Sequence, residues 1–85
     1  MTMSFVPPQT ETELALAAIW AEQLKLEKVG LVDDLFDLGG DSLMMTNVIA
    51  KVSERFRVDL TIRALFEAPT IKSLAARIDT LRAAA

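Results

Sequence analysis

Apolar residues along this chain of 85 residues recur in runs with helical spacing, separated by stretches that have no period. Leu16, Ile19, Trp20 and Leu24 stand three and four residues apart, the interval that gathers side chains on one face of an α-helix. Thr10 and Glu13 fit a capping box, in which hydroxyl and carboxylate each take a backbone N–H of the first turn. The pattern predicts a first helix from Thr10 to about Lys25. Trp20 is its core anchor, because no second aromatic accompanies it on that face. Met45, Val48, Ile49, Val52 and Phe56 predict a second helix, starting at Asp41 or Ser42 and ending near Phe56. Ile71, Leu74, Ala75, Ile78 and Leu81 predict a last one, capped by Thr70. Between these, Ile62, Leu65 and Phe66 mark a short helix from about Thr61. It stops before Pro69, since proline disfavours helix in the residue preceding it. The only strand-like stretch, Val58 to Ile62, is short and interrupted by Asp59. The fold class expected is all-α: a four-helix bundle with a long loop between helices one and two and a short third helix.

The aperiodic stretches divide differently. Residues 1–9, with the Pro7-Pro8 pair, read as a flexible linker leading into a domain at 10–82, and Ala83 to Ala85 as a frayed end. Leu26 to Asp41 is long for a connection inside a small domain, which points to a function or an internal turn. Asp33 or Asp34 can cap such a turn through Phe36, and Val29, Val32, Phe36 and Leu38 are expected to pin the loop to the bundle.

Composition narrows the chemistry. With 52% hydrophobic and 25% charged residues the chain is of the globular class and large enough for one modest core. It has no cysteine and no histidine, which removes disulfides, ordinary zinc sites and every His-based nucleophile or general base. No metal site and no catalytic residue is expected. The longest apolar run, Leu14 to Ala21, is too short to span a bilayer, and no leader pattern precedes it, so a cytoplasmic location without membrane contact is expected. The net charge is −3 and the nine Lys and Arg are dispersed, which argues against nucleic acid as a partner. The sign is uneven along the chain. Up to Ser42 there are eight acidic and two basic residues, and after it four acidic and seven basic, so the two halves are expected to meet different partners.

Asp33, Asp34, Asp37 and Asp41 invite a calcium reading, which fails on spacing. A calcium loop beginning at Asp33 would need an oxygen ligand at Leu35, glycine at Leu38 and glutamate at Met44. Gly39-Gly40 lacks the following Gly and Lys of a nucleotide-binding loop. What remains is Phe36-Asp37-Leu38-Gly39-Gly40-Asp41-Ser42-Leu43, a hydroxyl at the mouth of a helix behind two glycines. The glycines keep side chains away from Ser42, and first-turn N–H groups favour negative charge by about 0.3–1 kcal/mol. That suits a phosphodiester on Ser42, although a turn followed by an N-cap would account for Gly-Gly-Asp-Ser in isolation. Without a neighbouring base Ser42 is a residue acted upon.

At this point the sequence resembles the phosphopantetheine-dependent carrier proteins, and most closely the peptidyl carrier (thiolation) domains of nonribosomal peptide synthetases. Asp33-Asp34-Leu35-Phe36-Asp37-Leu38-Gly39-Gly40-Asp41-Ser42-Leu43 resembles the family signature, and Leu65-Phe66-Glu67-Ala68-Pro69-Thr70-Ile71 the approach to the last helix. Phe5 to Glu13 is similar to the linker that follows an adenylation domain, and Leu16 to Trp20 to the family's first helix.

The resemblance implies a bundle of the acyl/peptidyl carrier type that is not an enzyme. A phosphopantetheinyl transferase would load 4'-phosphopantetheine from coenzyme A onto Ser42, flanked by Gly39, Gly40 and Asp41, and the arm's thiol would carry aminoacyl, peptidyl or acyl groups as thioesters. It also implies a monomeric domain serving adenylation, condensation, epimerisation or thioesterase domains in antibiotic-type biosynthesis. Docking would use Leu43, Met44, Thr46, Asn47 and Ala50 on the second helix, with Ile62 and Phe66 on the third. Met44 lies off the core face beside Ser42, where a flexible thioether suits several partners. Asp41 stands where many elongation-type peptidyl carriers have histidine. An acyl carrier of a polyketide or hybrid synthase, served by a ketosynthase and acyltransferase, therefore remains the alternative. Lys51, Glu54 and Arg55 make the second helix unlike the strongly acidic one of fatty-acid carriers. From other classes, an unmodified helical interaction module and a Ser42-dependent enzyme are the remaining readings.

Overall fold

The computed structural model describes residues 6–84, and all four expected helices are present: α1 Glu11–Leu24, α2 Ser42–Phe56, α3 Ile62–Glu67 and α4 Ile71–Ala84. Their starts lie where the sequence places hydroxyl and carboxylate caps. Thr10 accepts the Glu13 N–H while the Glu13 carboxylate takes the N–H groups of Gln9 and Thr10, at 2.9 and 3.1 Å. Thr61 caps α3 through Ala64, and Thr70 caps α4 through Ser73. α1 and α2 both end on left-handed residues, Lys25 and Arg57, with φ of 58° and 56°.

Leu16 and Trp20 from α1, Met45, Val48, Val52 and Phe56 from α2, Leu65 from α3, and Ile71, Leu74 and Ile78 from α4 form one core. Trp20 is fully buried, and its indole N–H has no partner among the described residues, so the ring contributes by burial alone. Thr12 and Asp79 join α1 to α4 at their outer edge by a 2.8 Å hydrogen bond. Not every periodic position is buried. Ile19, Leu24 and Ile49 are half-buried, and Leu81, expected on the core face of α4, is 40% exposed because the bundle ends before its last turn.

The long loop is anchored by Val29, Leu31 and Leu35, all buried, whereas Val32, expected among the anchors, is 49% exposed. Leu35 N–H donates to the Pro69 carbonyl at 2.9 Å and Lys72 N–H to the Leu31 carbonyl at 3.0 Å, which fixes the loop against the α3–α4 junction. These two bonds frame an isolated antiparallel bridge between Asp34 and Thr70. The expected N-terminal linker is held at its inner end: the Val6 carbonyl accepts the Leu31 N–H at 2.7 Å, and Val6 packs on the core. Residues 1–5 of that linker lie outside the described residues. At the other end α4 remains helical through Ala84, where fraying from Ala83 was expected, and residue 85 is outside the described range.

Candidate functional site

The site is built by a turn that delivers the chain into α2. Asp34 organises it. Its carboxylate accepts the N–H of Phe36 at 2.8 Å, and its carbonyl accepts the N–H of Leu38 at 3.0 Å. Asp33 instead closes the preceding turn, accepting from Gly30 N–H at 2.8 Å. Two of the carboxylates that invited a metal reading, those of Asp33 and Asp34, thus serve backbone donors, and among the described residues no three acidic groups gather as metal ligands.

Two glycines follow, and they do different work. Gly39 has φ +103°, a region that side chains of L-residues rarely adopt, and an added Cβ there would meet nothing within 4 Å. At Gly40 the constraint is space: a Cβ would lie 2.9 Å from the Leu35 carbonyl oxygen and 3.1 Å from Leu35 Cγ. The Gly40 N–H donates to that same carbonyl at 3.0 Å. Gly39 therefore reverses the chain and Gly40 seats it on buried Leu35. The sequence shows the glycine pair but not this division, because it depends on where Leu35 is packed.

Asp41, and not Ser42, is the N-cap of α2. Its extended backbone (φ −126°, ψ −177°) lets Oδ1 accept the Met44 N–H at 2.9 Å. Ser42 is thereby the first helical residue, exposed, and no hydrogen bond among the described residues engages its Oγ. Its carbonyl accepts the Thr46 hydroxyl at 3.0 Å, which ties the first turn without using the Ser42 side chain. The N–H groups of Ser42 and Leu43 open the helix with no carbonyl one turn earlier in the helix to bond, so they face outward as donors for an anion. An exposed hydroxyl with backbone donors beside it fits a phosphodiester.

The residues expected to meet partners form an outward stripe on α2. Leu43 is 71% exposed, and Thr46, Asn47 and Ala50 are exposed at the following one-turn intervals. Met44 is half-buried and rests against the core, so it reaches the surface only in part. On α3, Ile62 and Phe66 are both exposed, one turn apart on the same face. Phe66 stacks on Phe36 of the site loop, with ring centroids 5.3 Å apart and planes at 12°, a contact that spacing did not reveal. Glu67 fixes the other side of α3, accepting from Arg77 at 2.8 Å and Arg63 at 3.3 Å. The Arg77 and Arg63 guanidinium groups hold its carboxyl below the usual glutamate range.

Comparison with known proteins places this geometry. Residues 15–78 match the family described as "Phosphopantetheine attachment site". The chain is 46% identical over 72 residues to tyrocidine synthase 3 of Brevibacillus parabrevis, covering 85% of this chain and 1% of that protein. It therefore spans a very small part of the curated relative it matches. Among solved structures it is similar to a peptidyl carrier protein in complex with the phosphopantetheine transferase Sfp and coenzyme A. There the TM-score is 0.86 and the identity 37%, covering 89% of this chain and 99% of that chain. It is also similar to part of the McyG A-PCP complexed with phenylalanyl-adenylate, with TM-score 0.85 and 36% identity over 88% of this chain and 12% of that one. With its four helices and an exposed serine opening the second, the chain belongs to the phosphopantetheine-dependent carrier family, alongside the peptidyl carrier domains of nonribosomal peptide synthetases.

Proposed function

We propose that Ser42 is the attachment point for phosphopantetheine and that this chain carries aminoacyl or peptidyl groups for a nonribosomal peptide synthetase. The observation that carries the assignment is the separation of duties at the start of α2: Asp41 takes the capping bond and leaves the Ser42 hydroxyl exposed. In the loading step Ser42 Oγ bonds to the phosphorus that carries the pantetheine arm of coenzyme A. The bond to the departing 3',5'-adenosine bisphosphate breaks, and the serine proton passes to a base of the transferase. When bound, the group supplies a terminal thiol that holds an acyl chain as a thioester on a flexible arm, raising its concentration at each partner's site.

Gly39 and Gly40 set the approach to Ser42, while Leu43, Met44, Thr46, Asn47, Ala50, Ile62 and Phe66 offer the apolar and neutral surface on which partners dock. The partners inferred are the loading transferase and an adenylation domain, supported by the likeness to a carrier bound to Sfp and to part of the McyG A-PCP. Condensation, epimerisation or thioesterase domains complete the set expected of a peptide synthetase. The likeness to a tyrocidine synthase supports peptide over polyketide cargo. With no histidine or cysteine in the chain and no base held on Ser42, the chemistry belongs to those partners. Among the described residues no helix is long and apolar enough to cross a membrane, and the cytoplasm is the location that coenzyme A loading implies.

The test is intact mass before and after incubation with coenzyme A and a broad-specificity transferase, in parallel with Ser42→Ala. One phosphopantetheine adduct on the wild type and none on the folded variant is the expected result. No adduct on folded wild type, with the transferase active on another carrier, overturns the assignment.

A further inference from the structure

The end of the bundle opposite Ser42 carries a second surface. α2 has 15 residues, so its last residue lies about 21 Å along the axis from its first. There Arg55 and Arg82, from the last turns of α2 and α4, both sit over the ring of Phe56, 5.5 and 5.8 Å from its centroid. Arg57 follows directly in the left-handed cap. None of these three arginines forms an ion pair among the described residues, whereas Arg63, Arg77 and Lys51 all do.

Helix C-termini attract cations, which accounts for a basic residue at the end of α2 and another at the end of α4. It does not account for two guanidinium groups converging on one ring with a third adjacent, an arrangement that concentrates like charge. Two clefts open around them and share Phe56 and Arg82. One, of about 390 Å³, is bordered by Arg55, and the other, of about 440 Å³, by Arg57 and the half-exposed Leu81. Glu11 borders the first and Asp59 the second, and neither comes within ion-pair distance of the arginines. Asp79, on the same helix as Arg82, is already engaged by Thr12.

We propose that this pole is a docking site for an acidic peptide segment of a partner polypeptide, its carboxylates taken by Arg55, Arg57 and Arg82 and an apolar side chain resting on Leu81. Planar guanidinium groups match carboxylates in paired geometry, and charge complementarity selects such a segment over a neutral one. Because the site is a helix length away from Ser42, a partner held here leaves the serine and its docking stripe free. It is a tether for a neighbour and does not compete with the enzymes that would act at Ser42. The inference stands on the arginine geometry and does not depend on Ser42 being modified.

The test uses fluorescence anisotropy with a short labelled peptide of Glu and Leu residues, a matched peptide with Lys replacing Glu, and backbone amide shifts mapped by NMR. The expected result is saturable binding of the acidic peptide alone, weakening with added salt, with shifts clustered at Arg55, Arg57, Leu81 and Arg82. Arg55→Gln/Arg82→Gln should weaken it about tenfold or more, with Arg82→Gln alone as the milder variant and thermal unfolding as the check on folding. Three results overturn the proposal: no saturable binding, binding indifferent to the arginine replacements in folded protein, or shifts centred on Ser42. Binding of duplex DNA or anionic vesicles at this pole without the peptide also overturns it, in favour of those partners.

Discussion

Replacing Gly40 with alanine tests whether the site turn is built as described. The new Cβ meets the Leu35 carbonyl oxygen at 2.9 Å and Leu35 Cγ at 3.1 Å. Neither neighbour yields easily. The oxygen is backbone and already accepts the Gly40 N–H, and the Leu35 side chain is fully buried. Overpacking of this kind costs about 1–3 kcal/mol, and stretching the turn hydrogen bond adds about 0.5–1.5 kcal/mol. The total, roughly 2–4 kcal/mol, compares with roughly 4–13 kcal/mol for the whole stability of a domain of this length. The variant should stay folded at 25 °C but melt about 10–25 °C lower. Gly39→Ala is the internal comparison. It meets no atom within 4 Å and bears only the left-handed backbone penalty, about 1–2 kcal/mol. Urea unfolding at 25 °C gives the two stabilities, and transferase loading followed by mass reads the site. Gly40→Ala should be the less stable of the two and the slower to load. A Gly40→Ala variant within about 0.5 kcal/mol of wild type would refute the packing of Gly40 on Leu35.

Two further perturbations separate roles that the sequence leaves merged. Asp41→Ala removes the N-cap of α2 and should cost about 0.5–2 kcal/mol in urea unfolding, whereas Ser42→Ala should stay within about 0.5 kcal/mol of wild type. Equal losses would mean that the serine shares the capping. Glu67 is held below the ordinary glutamate value of 4.5, first by the Arg77 hydrogen bond and then by that of Arg63. Its folded pKa is thus depressed, so its stabilisation is complete above pH 4.5 and is lost as pH falls below that value. Melting curves of Glu67→Gln and wild type should differ near neutrality and converge in acid. A gap that persists unchanged at low pH would exclude the Arg77–Glu67–Arg63 network as its source.

Much of the architecture was legible because helix signals are local. A cap acts on the N–H groups two or three residues ahead, and periodicity reports a face that repeats every turn. Thr10 with Glu13, Thr70 ahead of Ser73, and the stop before Pro69 therefore mark in sequence the same ends that they mark in space. The signature around Ser42 is equally local, which is why the segment identified a hydroxyl at a helix start and pointed to the family to which the chain belongs.

Tertiary structure decided what no period describes. In the loop, Leu31 and Leu35 turn inward while Val32 turns out, and the difference is set by hydrogen bonds to Pro69 and Lys72, more than thirty residues away in the chain. The same distant partners seat Leu35 under Gly40, and so separate the duties of two adjacent glycines. Phe36 finds Phe66 through that placement. The gathering of Arg55 and Arg82 over Phe56 likewise requires the C-terminal ends of α2 and α4 to meet. The sequence alone determined which residues form helices and that a hydroxyl stands at the start of the second, because those depend on neighbours within one turn. Which apolar side chains close the core, and which charges are left to face a partner, depended on packing between segments, where small shifts in position decide burial.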